Sequence, residues 1–182
     1  MQFGKLTFDS VAFRAERSTA LVRIGAIGWI VAGGLRTATA LIAYDPASII
    51  LELLYASIDI GLLLGLNGLV LGFSEQMGRS GRIAALIAAV AIASIIGPDA
   101  VKFGIDFYQA GAALFVIALG ALGAILASRR VLVWPAVLWT ISMVSAIAGA
   151  MTGAAFLTIL AGLTLGLGIM WAGFVMLRAA RA

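Results

Sequence analysis

The chain has 182 residues, of which 63% are hydrophobic and 11% are charged, and its mean hydropathy is +1.15. Soluble domains carry about a quarter charged residues, so a chain this apolar is expected to fold in lipid. The sequence has no Cys and no His, which excludes disulfides, thiol nucleophiles, histidine haem ligation, Ser-His catalysis and the usual zinc sites.

Residues 1–20 mix apolar and basic side chains. They lack the apolar core and small-residue cleavage site of a signal peptide. We predict a cytoplasmic or interfacial N-terminal segment, in which a short amphipathic helix lies on the membrane surface.

Residues 21–182 are predicted to form one all-α membrane domain of six transmembrane helices, arranged as three hairpins. Each span needs about 20 apolar residues, and Pro or Asp in the turns ends a helix. The polar residues 74–82 are expected to form a loop. The predicted spans are Arg23–Tyr44, Ala47–Phe73, Ile83–Ile96, Gly104 or Asp106 to Ser128, Val131–Ala150, and a sixth from the turn at 149–153 to before Arg178.

Ten of the twelve basic residues form four groups that lie on one side of the membrane if there are six spans, and only Arg36 and Lys102 lie elsewhere. Cytoplasmic loops collect Lys and Arg, so both termini are expected in the cytoplasm and the protein in the cell inner (plasma) membrane. The net charge of +4 is then a topology signal, and no nucleic-acid partner is predicted. The groups are Lys5, Arg14, Arg17 and Arg23; Arg79 and Arg82; Arg129 and Arg130; and Arg178 and Arg181.

The even-numbered spans share a glycine-rich pattern: LGLNGLVLGF from Leu64, LGALGAIL from Leu119 and LGLGIMWAGF from Leu165. Pro46 and Pro98 occupy matching turns of the first two hairpins. In these features the chain resembles the small acid-resistance membrane proteins of the HdeD type, although its third hairpin lacks a Pro turn. The resemblance implies a three-hairpin architecture and a link to acid or envelope stress. It implies no catalytic residues.

Glycines at intervals of three and four residues define one face of span two and one of span six. Small residues allow helices to approach closely in lipid, so these are predicted helix-packing positions. The neighbour is either a helix of the same chain or a second copy in an oligomer. The positions are Gly61, Gly65, Gly68 and Gly72 in span two, and Gly162 and Gly166 in span six.

Four polar residues form a predicted intramembrane cluster: Arg36 in span one, and Glu52, Asp59 and Asn67 in span two. A charge near the bilayer centre costs about 2.5–3.5 kcal/mol on insertion scales, so these groups are not expected to face lipid. Three roles are open: a buried Arg36–Asp59 pair that fixes the hairpin, a proton- or ion-responsive pathway, or contact with a partner subunit.

No catalytic, cofactor-binding or metal-binding residue is predicted. The segment Gly104-Ile105-Asp106 lacks the second glycine of the GxGD motif of intramembrane aspartyl proteases, and Lys102 lies in a turn. We expect a non-enzymatic integral membrane protein without cofactors. The alternatives are a small oligomeric proton or ion channel or carrier, and an accessory subunit of a larger membrane complex. Its expected partners are the lipid bilayer and either further copies of itself or another membrane subunit.

Overall fold

A computed structural model describes the backbone of residues 3–42, 45, 48–96, 101–102 and 105–181, and, within these, the side chains from Thr19 onward except 101, 102 and 105. These residues form five α-helices and one short antiparallel pair of strands. All five helices contain a stretch long and apolar enough to cross a membrane, so the predicted all-α class is confirmed and the helices are compatible with a membrane bundle. The elements are α1 (Phe3–Thr39), α2 (Ile49–Ile95), β1 (Val101–Lys102), β2 (Ile105–Asp106), α3 (Phe107–Ser128), α4 (Val133–Thr152) and α5 (Ala155–Ala179).

Helix α1 is continuous from Phe3 to Thr39, so its backbone has no boundary between a surface helix and the first predicted span. It ends five residues before Tyr44, the predicted end. The Thr39 hydroxyl donates to the Arg36 carbonyl at 3.2 Å, and the next two residues continue as tight turns. The predicted break at Pro46 lies outside the described residues.

The predicted loop at 74–82 falls where α2 is interrupted, although most of this stretch is helical. Non-helical backbone angles occur inside α2 only at Phe73 (φ −128°, ψ 24°) and Gly78 (φ 59°, ψ −162°). Glu, Gln, Met and Arg favour helix, so polarity alone does not unwind the chain. Gly78 tolerates a positive φ because it has no Cβ.

The break in α2 reverses the direction of the chain. Asp59 and Ile95 line one cavity, whereas in a straight helix their 36-residue separation would place them about 54 Å apart. Helix α2 therefore has two antiparallel parts, which we call its first arm (49–72) and its second arm (79–95).

The helices form a closed ring, in which each packs on the next and α5 returns to α1. The first arm of α2 packs on α1, with the Trp29 indole donating to the Leu62 carbonyl at 3.0 Å. The second arm packs on α3, where a Cβ placed on Gly111 would lie 3.0 Å from the Ala91 carbonyl oxygen. Helices α4 and α5 form a hairpin joined by a hydrogen bond from the Ser142 hydroxyl to the Ala161 carbonyl, at 2.9 Å.

Two tryptophans meet in the centre of the ring. Trp29 of α1 and Trp139 of α4 are both fully buried, and their rings pack edge to face with centroids 5.9 Å apart. Aromatic pairs favour this geometry because the positive ring edge meets the negative face. Within the described part of the chain, the buried Nε1 of Trp139 has no hydrogen-bond partner.

The described arginines other than Arg36 collect at one end of the bundle, which we call the basic end. The Arg23 guanidinium donates two hydrogen bonds to the Ala180 carbonyl, at 3.2 and 3.0 Å, beyond the end of α5. The break in α2 and the end of α3 lie at the same end, since Gly81 is next to Ile125. The members are Arg23, Arg79, Arg82, Arg129, Arg130, Arg178 and Arg181.

Candidate functional site: a charged cavity

A cavity of about 950 Å³ lies at the end of the bundle opposite the basic end. It is enclosed by the end of α1, both arms of α2, the start of α3 and the start of α5. The residues that line it are Arg36, Thr39, Ala40, Ile42, Glu52, Tyr55, Ala56, Asp59, Ile95, Ile96, Asp106, Tyr108, Ala155, Thr158 and Ile159.

The cavity lies beyond the end of α1, because α1 stops short of the level at which α5 begins. A Cβ placed on Gly162 would lie 2.8 Å from the Ala40 Cβ, so the end of α1 is level with a point seven residues inside α5. At the usual helical rise, α5 extends about 10 Å beyond it. Among the described residues, both arms of α2 and the starts of α3 and α5 line the space beyond Thr39.

Three of the charged groups lie at helix ends where their sign is favoured. Arg36 is in the last turn of α1, and Glu52 is in the first turn of α2. The carboxylate of Asp106 accepts a hydrogen bond from the Gln109 backbone N–H at 3.0 Å, which caps α3. Helix dipoles stabilise cations at C-termini and anions at N-termini, so these three positions offset part of the cost of a charge in the bundle.

Asp59 has no such support. It lies ten residues into α2, which is about 15 Å from the start of the helix, and its side chain is half-buried. It is seven residues from Glu52, so both carboxylates lie on one face of the first arm. Asp59 is thus the carboxylate that lies deepest in the cavity.

Arg36 is level with the stretch between Glu52 and Asp59. A Cβ on Gly61 would lie 2.7 Å from the Ala32 Cβ, and one more turn of α1 brings Arg36 opposite that stretch of the antiparallel arm. Arg36 and Asp59 interact electrostatically. No salt bridge with an N···O distance of 4.0 Å or less joins these two described side chains, and both face the cavity instead.

Asn67, the fourth predicted member of the polar cluster, does not line the cavity. Its side chain is exposed, and its Nδ2 donates to the Leu63 carbonyl of the same helix at 2.9 Å. Asp106, which was not predicted as a member of the polar cluster, lines the cavity instead. The signal that points to Asp106 is its N-cap position, at the same end of the bundle as Glu52.

The walls between the charged groups are apolar and aromatic. Ile95 and Ile159 come from α2 and α5, Ile42 follows the end of α1, and Tyr55 and Tyr108 add two aromatic rings. The described residues of the lining include three carboxylates and one guanidinium, which together carry a formal charge of −2. Among the residues that the structure describes, no three acidic side chains are grouped so as to hold a metal ion.

The glycine face of α2 closes the bundle below the cavity. A Cβ on Gly65 would collide with the indole of Trp29, and one on Gly68 would lie 2.9 Å from the Gly25 Cα. Gly61 makes a similar approach to Ala32. Gly72 is less constrained, since its Cβ would reach the Val22 side chain only at 3.4 Å. This face contacts α1 of the same chain.

The glycine face of α5 packs on the other side of α1. A Cβ on Gly166 would lie 2.7 Å from the Gly33 carbonyl oxygen, and Gly162 meets Ala40. Close backbone approach is the usual role of small residues between membrane helices. Helix α1 is therefore held between two glycine faces, so each face has its neighbour within the same chain.

Comparisons with protein-family models, with curated proteins and with solved structures find no match to this chain.

Proposed function

We propose that the chain crosses the inner (plasma) membrane six times, with both termini in the cytoplasm. The 47 residues of α2 would span about 70 Å in one direction, but its two arms run antiparallel and each is long enough to cross most of a bilayer. The arginines of the basic end support the orientation, because cytoplasmic loops collect basic residues. The cavity then opens on the outer side.

We propose further that the protein is a small, non-enzymatic carrier that takes up a cation, protons included, from the outer side. The observation that carries this proposal is Asp59, a carboxylate retained about 15 Å inside α2 at the cavity. An ionisable residue at such depth is costly, and in membrane proteins it commonly marks a pathway for ions or protons.

A carrier fits the bundle better than an open pore. Below the cavity the two glycine faces bring α1 into backbone contact with α2 and α5. The fully buried Trp29–Trp139 pair fills the centre of the ring. A ligand that reaches Asp59 would thus need a rearrangement of the helices to pass to the basic end.

The resemblance to acid-resistance proteins supports a role in acid or envelope stress. Acidification outside the cell would reach the carboxylates of the cavity first. Several titratable or charged groups face Asp59 from the surrounding helices, whereas α5 contributes the neutral Thr158. They are Arg36 of α1, Glu52 and Tyr55 of α2, and Asp106 and Tyr108 of α3.

Flux measurements in proteoliposomes test the carrier proposal. We expect wild-type protein to move protons or monovalent cations above the level of empty liposomes, with different rates at pH 5 and pH 7. Asp59→Asn should lower this flux at least about tenfold, which corresponds to about 1.4 kcal/mol. The matched control Glu75→Gln removes an exposed carboxylate outside the cavity and should keep the wild-type rate. Wild-type flux no greater than that of empty liposomes would contradict the proposal, as would equal flux in the two variants.

Purification without overexpression distinguishes the carrier from an accessory subunit. Both glycine faces are occupied by α1, so we expect any homo-oligomer to form through other surfaces of the bundle. The chain should purify alone or with copies of itself. A second membrane protein in stoichiometric amount would favour the accessory-subunit role.

A further inference from the structure

We infer that the cavity binds an amphipathic organic cation: a protonated or quaternary amine, or a comparable onium ion, with apolar substituents. The inference rests on the proposed carrier function, because it names the substrate class of the same cavity. It depends on three features of the lining: its charge, its aromatic and aliphatic walls, and its volume.

The charge of the lining selects for a cation. The three carboxylates among its described residues come from two places, with Glu52 and Asp59 on one face of α2 and Asp106 at the N-cap of α3. Among these described residues, Arg36 offsets one negative charge and leaves two. The C-terminal end of α1 also opens into the cavity at Thr39, and the negative end of a helix dipole favours cations.

The walls select for apolar substituents on that cation. Four isoleucines surround the acidic groups: Ile42, Ile95, Ile96 and Ile159. Tyr55 and Tyr108 lie on different helices and both line the cavity, so a bound cation can contact an aromatic ring. Cation–π contacts contribute about 0.5–1 kcal/mol at exposed sites and about 2 kcal/mol or more in desolvated ones.

The volume of the cavity fits an organic ion. Ligand sites for drug-sized molecules measure roughly 300–1,000 Å³ and have mostly apolar walls with a few polar groups that orient the ligand. The 950 Å³ cavity matches both criteria. Glu52 and Asp59 lie about 10 Å apart along the first arm, so a bulky cation can span the distance between these two carboxylates.

Equilibrium dialysis of the purified full-length protein with tetraphenylphosphonium tests this inference. We expect saturable binding at one site per chain. Asp59→Asn should weaken binding at least tenfold and Glu52→Gln several-fold, whereas Glu75→Gln should leave it unchanged. Ile95→Trp should also weaken binding, because a larger side chain fills the cavity without a change of charge. Thermal unfolding of each variant shows whether it is folded, and Glu52→Gln and Ile95→Trp keep the test decisive if Asp59→Asn does not fold.

Two results would overturn the inference: no saturable binding to wild-type protein, or equal binding by the cavity variants and Glu75→Gln. Competition by a zwitterionic amino acid, together with weak binding of the phosphonium ion, would also overturn it in favour of a ligand that uses Arg36 as well. If Asp59-dependent proton or cation flux occurs without binding of the phosphonium ion, the ligand class is wrong and the carrier function stands. If the ion binds in an Asp59-dependent way without any flux, the ligand class is supported and the carrier function is contradicted.

Discussion

The two ends of this bundle differ in where their charged side chains lie. At the basic end the arginines other than Arg23 lie near points where helices end or where α2 reverses, whereas Arg23, inside α1, caps the C-terminal end of α5 through the Ala180 carbonyl. At the other end four charged side chains face an internal cavity, and one of them, Asp59, lies far from any helix end. At the basic end Arg23 joins α1 to the end of α5, whereas the charged groups at the other end line a cavity.

Packing differs between the two ends in the same way. Below the cavity α1 packs closely on glycines of α2 and α5, and two tryptophans fill the centre of the bundle. Above it α1 ends at Thr39 while its neighbours continue. Helix α1 therefore packs closely on glycines along part of its length and borders the cavity at its C-terminal end. Substitutions in the closely packed part should therefore lower stability, whereas substitutions in the cavity should change transport.

The largest loss of stability is expected for Gly65→Leu. A side chain at this position collides with Trp29, and overpacking of a buried site costs about 1–3 kcal/mol or more. Gly34→Leu is the matched control, since a Cβ there would meet no described atom within 4 Å. Thermal unfolding in detergent should show a clear loss for the first variant and little change for the second. Equal stability of the two would contradict the packing described for α1.

Asp59→Asn should change transport far more than stability. Removing one partner of a buried salt bridge lowers the stability of a protein by about 3–5 kcal/mol. Asp59 instead faces a cavity, so we expect the midpoint of unfolding to stay within a few degrees of wild type, beside the tenfold loss of flux. A drop in stability as large as that of Gly65→Leu would show that Asp59 has a structural role.

Ser142→Ala should have a moderate effect. Its hydroxyl donates to the Ala161 carbonyl between α4 and α5, in a buried position. Hydrogen bonds between membrane helices contribute about 0.6 kcal/mol on average. Ser57→Ala is the control, because the Ser57 hydroxyl is exposed and bonds only to Leu53 of its own helix. Unfolding in detergent should show that Ser142→Ala is less stable than Ser57→Ala. A Ser57→Ala variant that is the less stable of the two would count against this contact.

Arg23→Gln should have the smallest effect. Arg23 donates to the last turn of α5 from an exposed position, and such interactions with a helix dipole are worth about 0.3–1 kcal/mol at low salt. The loss should shrink as the salt concentration rises, because exposed charges are screened. Arg181→Gln, which removes a charge at the same end, is the comparison. A salt-independent loss for Arg23→Gln would contradict an electrostatic cap.

Local patterns in the sequence were sufficient for the class of fold and for most helix boundaries. Apolar length predicted the helices, and α3, α4 and α5 lie within a few residues of the fourth, fifth and sixth predicted spans. The glycine spacing indicated faces for close packing, since that requirement depends on residue size. The helical turns within 74–82 were missed because polarity was taken as evidence for a loop, although most of these residues favour helix.

The cavity itself could not be predicted, because it depends on where helices end relative to one another. Nothing in the residues around Thr39 shows that α1 stops about two turns short of the start of α5. That offset depends on which glycine meets which neighbour, for example Gly162 and Ala40. The same holds for Asp106, whose place beside Glu52 arises from the contact of α3 with the second arm of α2.

Cysteine labelling measures the central claim, that the cavity opens on the side opposite the termini. The chain has no native Cys, so single-cysteine variants give an unambiguous signal. Ala56→Cys lies in the cavity lining, and Arg79→Cys lies at the basic end. In intact cells a membrane-impermeant maleimide should label Ala56→Cys and should reach Arg79→Cys only after the membrane is permeabilised. Labelling of Arg79→Cys in intact cells, with Ala56→Cys protected, would contradict the account.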